Sequence, residues 1–246
     1  ATTKYLKKAK LFSKKLKASI SKLPINDNPD QARLVVLNHF MILMDKHIDL
    51  VDRRLLQGEK IPHSEKMFSV FETYTEWVKK GKRRPSVELG KKLSITTDQY
   101  NLIVDYEMMT KEQDRDVVIE LGQRLLEKYK VASWSFDKGY WLKTNKDFLQ
   151  KEGVSKVIMP KLGKRNKEEE QEEKSRSFKQ LKNKHSAVES NINELEQRGL
   201  DRCPDRGIHN FKRYISLAVC AYNLKKIGRE LLQQERAKLK KRRAAA

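Results

Sequence analysis

Two acidic residues in different settings are the strongest candidates for chemistry in this sequence. Asp137 follows a short apolar run, residues 131–136, and is itself followed by Lys138 and Gly139. Glu189 lies much later in the chain, inside a long pattern that predicts a helix. One carboxylate at the end of a strand and one on a helix would be oxygen ligands on rigid elements, which hard cations such as Mg²⁺ prefer. The pair therefore suggests a metal-dependent reaction.

Each acid also has a plainer interpretation when it is considered alone. Asp137 could cap the turn that follows it, as Asp does readily. On an ideal helix Glu189 lies beside His185 and Ile192, near an apolar stripe where an unpaired carboxylate is costly. A metal ion would compensate that cost, but so would a side chain that extends to solvent. His185 could orient a carboxylate or contact a phosphate, although a lone histidine is more often a surface or core residue.

The composition favours a polyanionic partner. The chain has 246 residues with 54 Lys and Arg against 33 Asp and Glu, and its formal net charge is +21. Nucleic acid is the first candidate partner and an anionic membrane surface the second. No apolar run reaches the roughly 20 residues that span a bilayer. Two cysteines, Cys203 and Cys220, form neither a disulfide scaffold nor a metal-ligand spacing, which fits a reducing cytoplasm.

A dense basic run is the main candidate for phosphate contacts. It puts five positive charges within six positions beside Trp77, and Lys138 adds another next to Asp137. Such a run is usually a solvated loop, but between two strands it would suit salt-sensitive, sequence-independent contacts with a nucleic-acid backbone. The residues of the run are Lys79, Lys80, Lys82, Arg83 and Arg84.

The elements that must position these residues change in type along the chain. The first 62 residues predict a helical hairpin, with helices at 4–22 and 30–56 separated by a break at Pro24 and Pro29. The remainder predicts a mixed α/β sheet with helices packed on it, followed by a basic tail at 237–246. Its predicted strands are 67–71, 87–97, 102–108, 131–136 and 156–159; its predicted helices are 114–129, 144–151, 178–197 and 209–234, with a charged loop or helix start at 164–176.

A set of motifs in a fixed order resembles one protein family. The chain is similar to the DDE transposases of bacterial insertion sequences over most of residues 50–230. The motifs that carry the resemblance are His63 to Glu72 with Thr75-Glu76-Trp77, Val87-Glu88-Leu89-Gly90, Ser135-Phe136-Asp137-Lys138-Gly139-Tyr140, Met159-Pro160-Lys161, His185-Ser186-Ala187-Val188-Glu189-Ser190, Gly199 to Gly207, and Phe211-Lys212-Arg213-Tyr214.

The resemblance implies a ribonuclease H-like catalytic domain at residues 63–236. Its acids would hold two Mg²⁺ or Mn²⁺ ions that activate water or a DNA 3′-hydroxyl for attack on a phosphodiester. Asp137 matches the second acid of the family's triad and Glu189 the third. The first acid is expected on a strand upstream of Ala1, with residues 1–62 as a helical insertion. Replacement of this acid by Glu72 or Glu76 is the less favoured alternative.

The resemblance also implies how such a protein works and where. Its partners would be the DNA of transposon ends and targets, and it would act as a homodimer or larger assembly in the bacterial cytoplasm. This chain departs from the family at one place. One large group of these transposases has Tyr, Arg and Lys at fixed positions around the glutamate, and the corresponding residues here are Lys182, His185 and Glu196. Two other readings stay open: an incomplete transposase that only binds DNA, and a basic helical protein without a sheet that binds RNA or membranes.

Overall fold

The protein was studied as a computed structural model that describes residues 1–25, 27–79, 87–110 and 112–244. These residues form two compact units, Ala1–Lys91 and Lys92–Ala246. Both helices and strands are present, so the predicted α/β class is confirmed. The predicted division at residues 62 and 236 stays a prediction.

Two long helices make up the start of the first unit. Helix α1 spans Thr2–Ile20, and helix α2 spans Asn28–Leu55. Helix α2 begins at a proper cap, because the Asp27 side chain accepts a hydrogen bond from the Asp30 backbone N–H at 2.9 Å. The helices pack together with few buried side chains: Leu6 and Ser13 on α1, and Met41 and Ile48 on α2. Both predicted helices are confirmed, whereas their role as an insertion stays a prediction.

A strand pair completes the described part of the first unit. Strand β1, Glu76–Lys79, pairs antiparallel with strand β2, Val87–Gly90. The sequence pattern did not predict β1, and it merged β2 with the following strand. The strand predicted at residues 67–71 is wrong, because these residues form bends and irregular backbone.

Aromatic contacts and a local turn explain that correction. The Phe68 ring packs against Trp77 with centroids 6.1 Å apart, and the Phe71 ring against Phe40 with centroids 5.7 Å apart. The Ser69 hydroxyl accepts a hydrogen bond from the Glu72 backbone N–H. The apolar side chains are thus engaged by neighbouring rings, and the serine favours a turn over a strand.

The second unit begins with an antiparallel hairpin. Strand β3, Leu93–Thr97, pairs with strand β4, Ile103–Met108. The Asp98 side chain accepts hydrogen bonds from the backbone N–H groups of Tyr100 and Leu102, both at 2.8 Å. Asn101 takes the left-handed conformation with φ 63°, which asparagine tolerates. The predicted turn at residues 98–101 is confirmed.

An alternation of helix and strand follows and forms the main apolar core. Strand β5, Ser133–Ser135, and strand β6, Lys156–Ile158, pair in parallel, with Trp134 opposite Val157. Helix α3, Val118–Leu126, is shorter than predicted, since Asp116 accepts a hydrogen bond from the Gln113 backbone N–H and so belongs to a turn before it. The elements are α3 (Val118–Leu126), β5 (Ser133–Ser135), α4 (Lys143–Lys151) and β6 (Lys156–Ile158), and the core residues are Val118, Leu121, Leu125, Trp134, Phe136, Leu149, Val154, Val157 and Met159.

Three further helices end the chain. The charged segment begins helix α5, Lys167–Lys174, through a capping box in which Asn166 and Glu169 each bond the other's backbone N–H. Helix α6 spans Arg176–Leu195, and helix α7 spans Ile208–Ala244. Residues 237–244 of the predicted basic tail therefore continue α7. None of the described helices is long and apolar enough to cross a membrane.

Helix α6 contacts strands of both sheets in the second unit. Helix α7 is tied to β4, because the Asn223 side-chain amide bonds both the N–H and the C=O of Ile103 at 2.9 Å. Within the described residues the six strands pair as three two-stranded sheets. One continuous ribonuclease H-like sheet therefore stays a prediction.

Candidate active site

Asp137 lies directly beyond the carboxyl end of β5. The strand is prolonged by one bond, because the Phe136 backbone N–H donates to the Ile158 carbonyl at 2.8 Å. Asp137 then precedes a single 3₁₀ turn, Lys138–Tyr140, but its side chain makes no capping hydrogen bond to that turn. The side chain is 65% exposed. The carboxylate is thus not used as a cap and is free to face a ligand.

Helix α6 carries Glu189. The helix begins where the Ser175 hydroxyl accepts a hydrogen bond from the Phe178 backbone N–H, and it buries Phe178, Asn191 and Leu195. Glu189 is exposed. The helical pattern of the sequence predicts a position close to the apolar stripe of this helix. The helix therefore presents this carboxylate to solvent, without requiring a metal ion to offset burial.

Two contacts bring the end of β5 to the face of α6 that carries His185. The Ser135 hydroxyl donates a hydrogen bond to the Leu181 carbonyl at 3.2 Å. One turn further along α6, the His185 Nε2 atom lies 3.7 Å from the Asp137 Oδ1 atom. Glu189 is one turn beyond His185, and residues four apart on a helix are neighbours. The structure thus brings together Asp137 and His185, and it places Glu189 on the next turn.

The turn after Asp137 is supported by a residue from the start of the second unit. The Tyr140 hydroxyl forms a 3.2 Å hydrogen bond with the hydroxyl of Ser94, which is buried on β3. Burial raises the pKa of Tyr140, the bond with Ser94 acts against that rise, and the negative charges of Asp114 and Asp137 add to it. Tyr140 therefore stays neutral and holds the turn as a hydroxyl donor or acceptor.

Asp114 packs against the same turn at Gly139. A side chain at position 139 would meet the Asp114 Oδ2 atom at 2.5 Å, so a glycine is needed for the present arrangement. Asp114 also pairs with Lys92, whose Nζ lies 3.3 Å from its Oδ1 atom. Neither Ser94 nor Asp114 was a candidate from the sequence. Each lies more than 20 residues from the turn, and no local pattern reports such a contact.

The predicted phosphate-binding residues are described only in part. Lys138 is exposed beside Asp137. Lys79 ends β1, but Lys80, Lys82, Arg83 and Arg84 lie outside the described residues. The assignment of these residues to DNA binding stays a prediction.

The possible replacements for the first acid, Glu72 and Glu76, lie in the first unit. Glu76 forms an ion pair with the buried side chain of Lys91, with Nζ 2.5 Å from Oε1. This carboxylate is thus already neutralised. Within the part of the chain that the structure describes, no group of three or more His, Cys, Asp or Glu side chains is arranged to hold a metal ion.

A known protein family matches most of this chain. A family model described as the transposase DDE domain matches residues 48–224, which is more than half of the chain. Searches among curated proteins and among solved structures find no match. The matched range contains Asp137, His185 and Glu189, together with the hairpin, the parallel strand pair and most of the helices described above. The chain therefore belongs to the family of proteins with a transposase DDE domain.

Proposed function

We propose that this protein is a DNA transposase that cuts DNA strands at the ends of an insertion sequence and joins them to a target. The observation that carries the proposal is the approach of Asp137 to the helix of Glu189 through His185. The family model supplies the reaction class, since transposition acts on DNA. The ribonuclease H-like arrangement of the strands and the assembly as a homodimer or larger complex belong to the same proposal.

The charges around the two acids fit a divalent cation. Although the chain carries a net charge of +21, neither Asp137 nor Glu189 forms an ion pair with a described Lys or Arg. Both carboxylates are exposed and offer oxygen atoms, the ligands that Mg²⁺ and Mn²⁺ prefer. Asp137 and Glu189 would hold the metal, which when bound supplies a Lewis acid for phosphodiester chemistry.

The neighbouring side chains have separate tasks in this proposal. His185, whose Nε2 atom lies 3.7 Å from Asp137, would orient the carboxylate, and the hydrogen bond between Tyr140 and Ser94 would hold the turn that follows it. Lys138, exposed next to Asp137, would contact a phosphate of the DNA strand. These residues position the ligands and the substrate, whereas the two acids alone would contact the metal.

A second candidate function is DNA binding without cleavage. It is favoured by one observation: within the described residues no group of three or more His, Cys, Asp or Glu side chains is arranged to hold a metal ion, and two acids hold two metal ions poorly. This candidate predicts salt-sensitive DNA binding and no strand cleavage with any divalent metal.

The experiment that tests the proposal compares isosteric variants of the complete protein. The substrate is a plasmid that carries the DNA flanking the gene, and cleavage is followed in Mg²⁺ or Mn²⁺. Asp137→Asn and Glu189→Gln should each lower the cleavage rate by at least about 10³-fold, equivalent to roughly 4 kcal/mol of activation free energy. Each variant keeps the shape of the side chain but removes its charge.

Two exposed acids provide matched controls. Asp147→Asn and Glu152→Gln remove the same charges from α4 and the residue after it, and should leave the rate within about twofold. Cleavage that persists in both site variants would contradict the assignment of the acids. The absence of cleavage by the unmodified protein in either metal, together with DNA binding, would favour the second candidate.

A further inference from the structure

One face of helix α1 carries lysines that have no acidic partner among the described residues. The helix has seven lysines and no acidic residue. Five of the lysines are exposed and form no ion pair with any described residue. At about 100° per residue these five fall within roughly 120° of the helix circumference, so they form a stripe. The lysine stripe consists of Lys4, Lys7, Lys8, Lys14 and Lys15.

The other two lysines of α1 show why the stripe stays uncompensated. Lys10 pairs with Asp52 at 2.7 Å, and Lys17 pairs with Asp45 at 2.5 Å. Two further acids of α2 are also occupied, since Asp49 pairs with Arg53 at 3.3 Å and Asp30 with Arg33 at 3.5 Å. The acids of the neighbouring helix are therefore used elsewhere, and none is left for the lysine stripe.

This arrangement has a cost in the free protein. Lysines three or four residues apart on a helix repel one another, as Lys4 does with Lys7 and Lys8, by a few tenths of a kcal/mol per pair. The first turn of α1 also lacks the acidic residues that favour a helix start. A bound polyanion would relieve both effects.

We propose that the lysine stripe of α1 binds the phosphate backbone of double-stranded DNA. This inference rests on the proposed action on DNA but not on Asp137 or Glu189. From Lys4 to Lys15 the helix rises about 16 Å. Duplex DNA carries one negative charge per about 1.7 Å of its axis, so this length faces roughly ten phosphates. Five separated ammonium groups suit contacts of this kind, which do not depend on the base sequence.

The packing of α1 argues against an anionic membrane as the partner. A helix that lies on a membrane needs an apolar face to insert below its lysines. The side of α1 that carries Leu6 and Ser13 is buried against α2. Tyr5, Leu11 and Phe12 are exposed on α1, but the Tyr5 hydroxyl is engaged by His47 of α2 and Leu11 lies among the lysines, so they do not form a continuous apolar face.

The test measures how the affinity for DNA depends on salt. The probe is a fluorescently labelled 30-base-pair duplex of arbitrary sequence, titrated with the full chain in EDTA so that no metal-dependent step takes part. Each lost lysine–phosphate contact reduces the magnitude of the negative slope of log affinity against log salt by about 0.9. In the triple variant K7Q/K8Q/K15Q the magnitude of the slope should therefore be smaller by about 2.7.

A charge-matched variant makes the comparison specific. K238Q/K240Q/K241Q removes three exposed lysines from the far end of α7, so both variants lose the same net charge. In this control the magnitude of the slope should decrease by less than about 1. K7R/K8R/K15R keeps the charges of the stripe and should retain the original slope. Retention by this variant would also show that changes at these three positions are tolerated by the fold.

Three results would overturn the inference. One is an unchanged slope in K7Q/K8Q/K15Q with the helical circular dichroism signal intact. Another is an equal fall in both triple variants, which would assign the effect to net charge alone. The third is that K7Q/K8Q/K15Q no longer binds vesicles with 30% phosphatidylserine, which the unmodified protein binds, while its slope for DNA is unchanged. This result would point to a membrane as the partner. None of these results bears on metal-dependent cleavage, so the proposed function is tested separately.

Discussion

The helix pair α1–α2 and the parallel strand pair β5–β6 with its helices are stabilised in different ways. On α1 and α2 few side chains are buried, and several contacts between the helices are exposed and polar, such as Lys10 with Asp52 and Tyr5 with His47. Around β5 and β6 nine apolar side chains form a buried cluster. The difference teaches that the region holding Asp137 is stabilised mainly by its apolar core, whereas the region with the lysine stripe depends more on charge and therefore on salt and pH.

The largest expected effect comes from a cavity in the β5–β6 core. Leu149 on α4 is fully buried, and Leu149→Ala should lower the free energy of unfolding by about 3–4 kcal/mol. The matched change Leu217→Ala on α7 of the same unit, where the residue is 61% exposed, should cost less than about 0.5 kcal/mol.

The measurement for this prediction is urea unfolding followed by tryptophan fluorescence. Trp134 and Trp141 lie in or against the core cluster, and a Trp77→Phe background removes the signal of the first unit. A loss below about 1 kcal/mol in Leu149→Ala would show that the core is loosely packed and would remove the contrast between the two regions.

A smaller effect is expected where a polar contact of the second unit is buried. Tyr140→Phe leaves the buried Ser94 hydroxyl without its partner and should cost about 1–2 kcal/mol. Tyr106→Phe is the matched control, since its hydroxyl donates to Ser216 at 2.8 Å in an exposed setting and should cost less than about 0.5 kcal/mol.

A double-mutant cycle in the same urea experiment isolates the buried pair. The double variant S94A/Y140F should lose less free energy of unfolding than the sum of the losses in the two single variants. The reason is that the double variant leaves neither hydroxyl without its partner. Additive losses would mean that the two hydroxyls do not stabilise each other.

The smallest effect concerns the acid that joins α2 to α1. Hydrogen bonds from Lys17 and Ser13 lower the pKa of Asp45 in the folded protein. A lowered pKa means that the carboxylate stabilises the fold above the unfolded-state value of about 3.9, and that this contribution is lost as the pH falls through the folded-state pKa. Asp45→Asn should therefore cost about 0.5 kcal/mol at pH 7 and progressively less as the pH falls below about 3.9 through the folded-state pKa.

Hydrogen exchange of the α1 amide groups between pH 3 and pH 7 measures this contribution after correction for the intrinsic exchange rate. Asp49→Asn is the control, since Asp49 pairs with Arg53 of its own helix and not with α1. Equal effects of the two changes, or a loss in Asp45→Asn that does not depend on pH or salt, would show that charge does not hold α1 to α2.

Some parts of the fold were predictable and others were not, for physical reasons that particular residues show. The helices α1, α2, α4, α6 and α7 follow from apolar spacing and caps, which act within one or two turns. Strand β1 was missed and a strand at residues 67–71 was wrongly predicted. A strand depends on its partner, and local composition cannot tell whether Phe68 and Phe71 will meet rings from elsewhere.

The candidate site divides in the same way. Asp137 and Glu189 were selected from motifs along the chain, and the family match supports the setting of those motifs. Ser94, Asp114 and Tyr140 were not selected, because Ser94 contacts Tyr140 over 46 positions and Asp114 contacts Gly139 over 25 positions. The Asp137 side chain makes no capping hydrogen bond to the turn that follows it. This too depends on how the turn folds and was not predictable from the sequence.

The amino-acid sequence by itself determined the excess of positive charge, the helical periodicity, the order of the motifs and the membership of the transposase family. Only the tertiary structure decided that the end of β5 meets α6 at His185, and that two lysines of α1 are paired while five are not. The reason is that charge and periodicity are local properties of the chain. Which carboxylate reaches which cation depends on how distant elements pack.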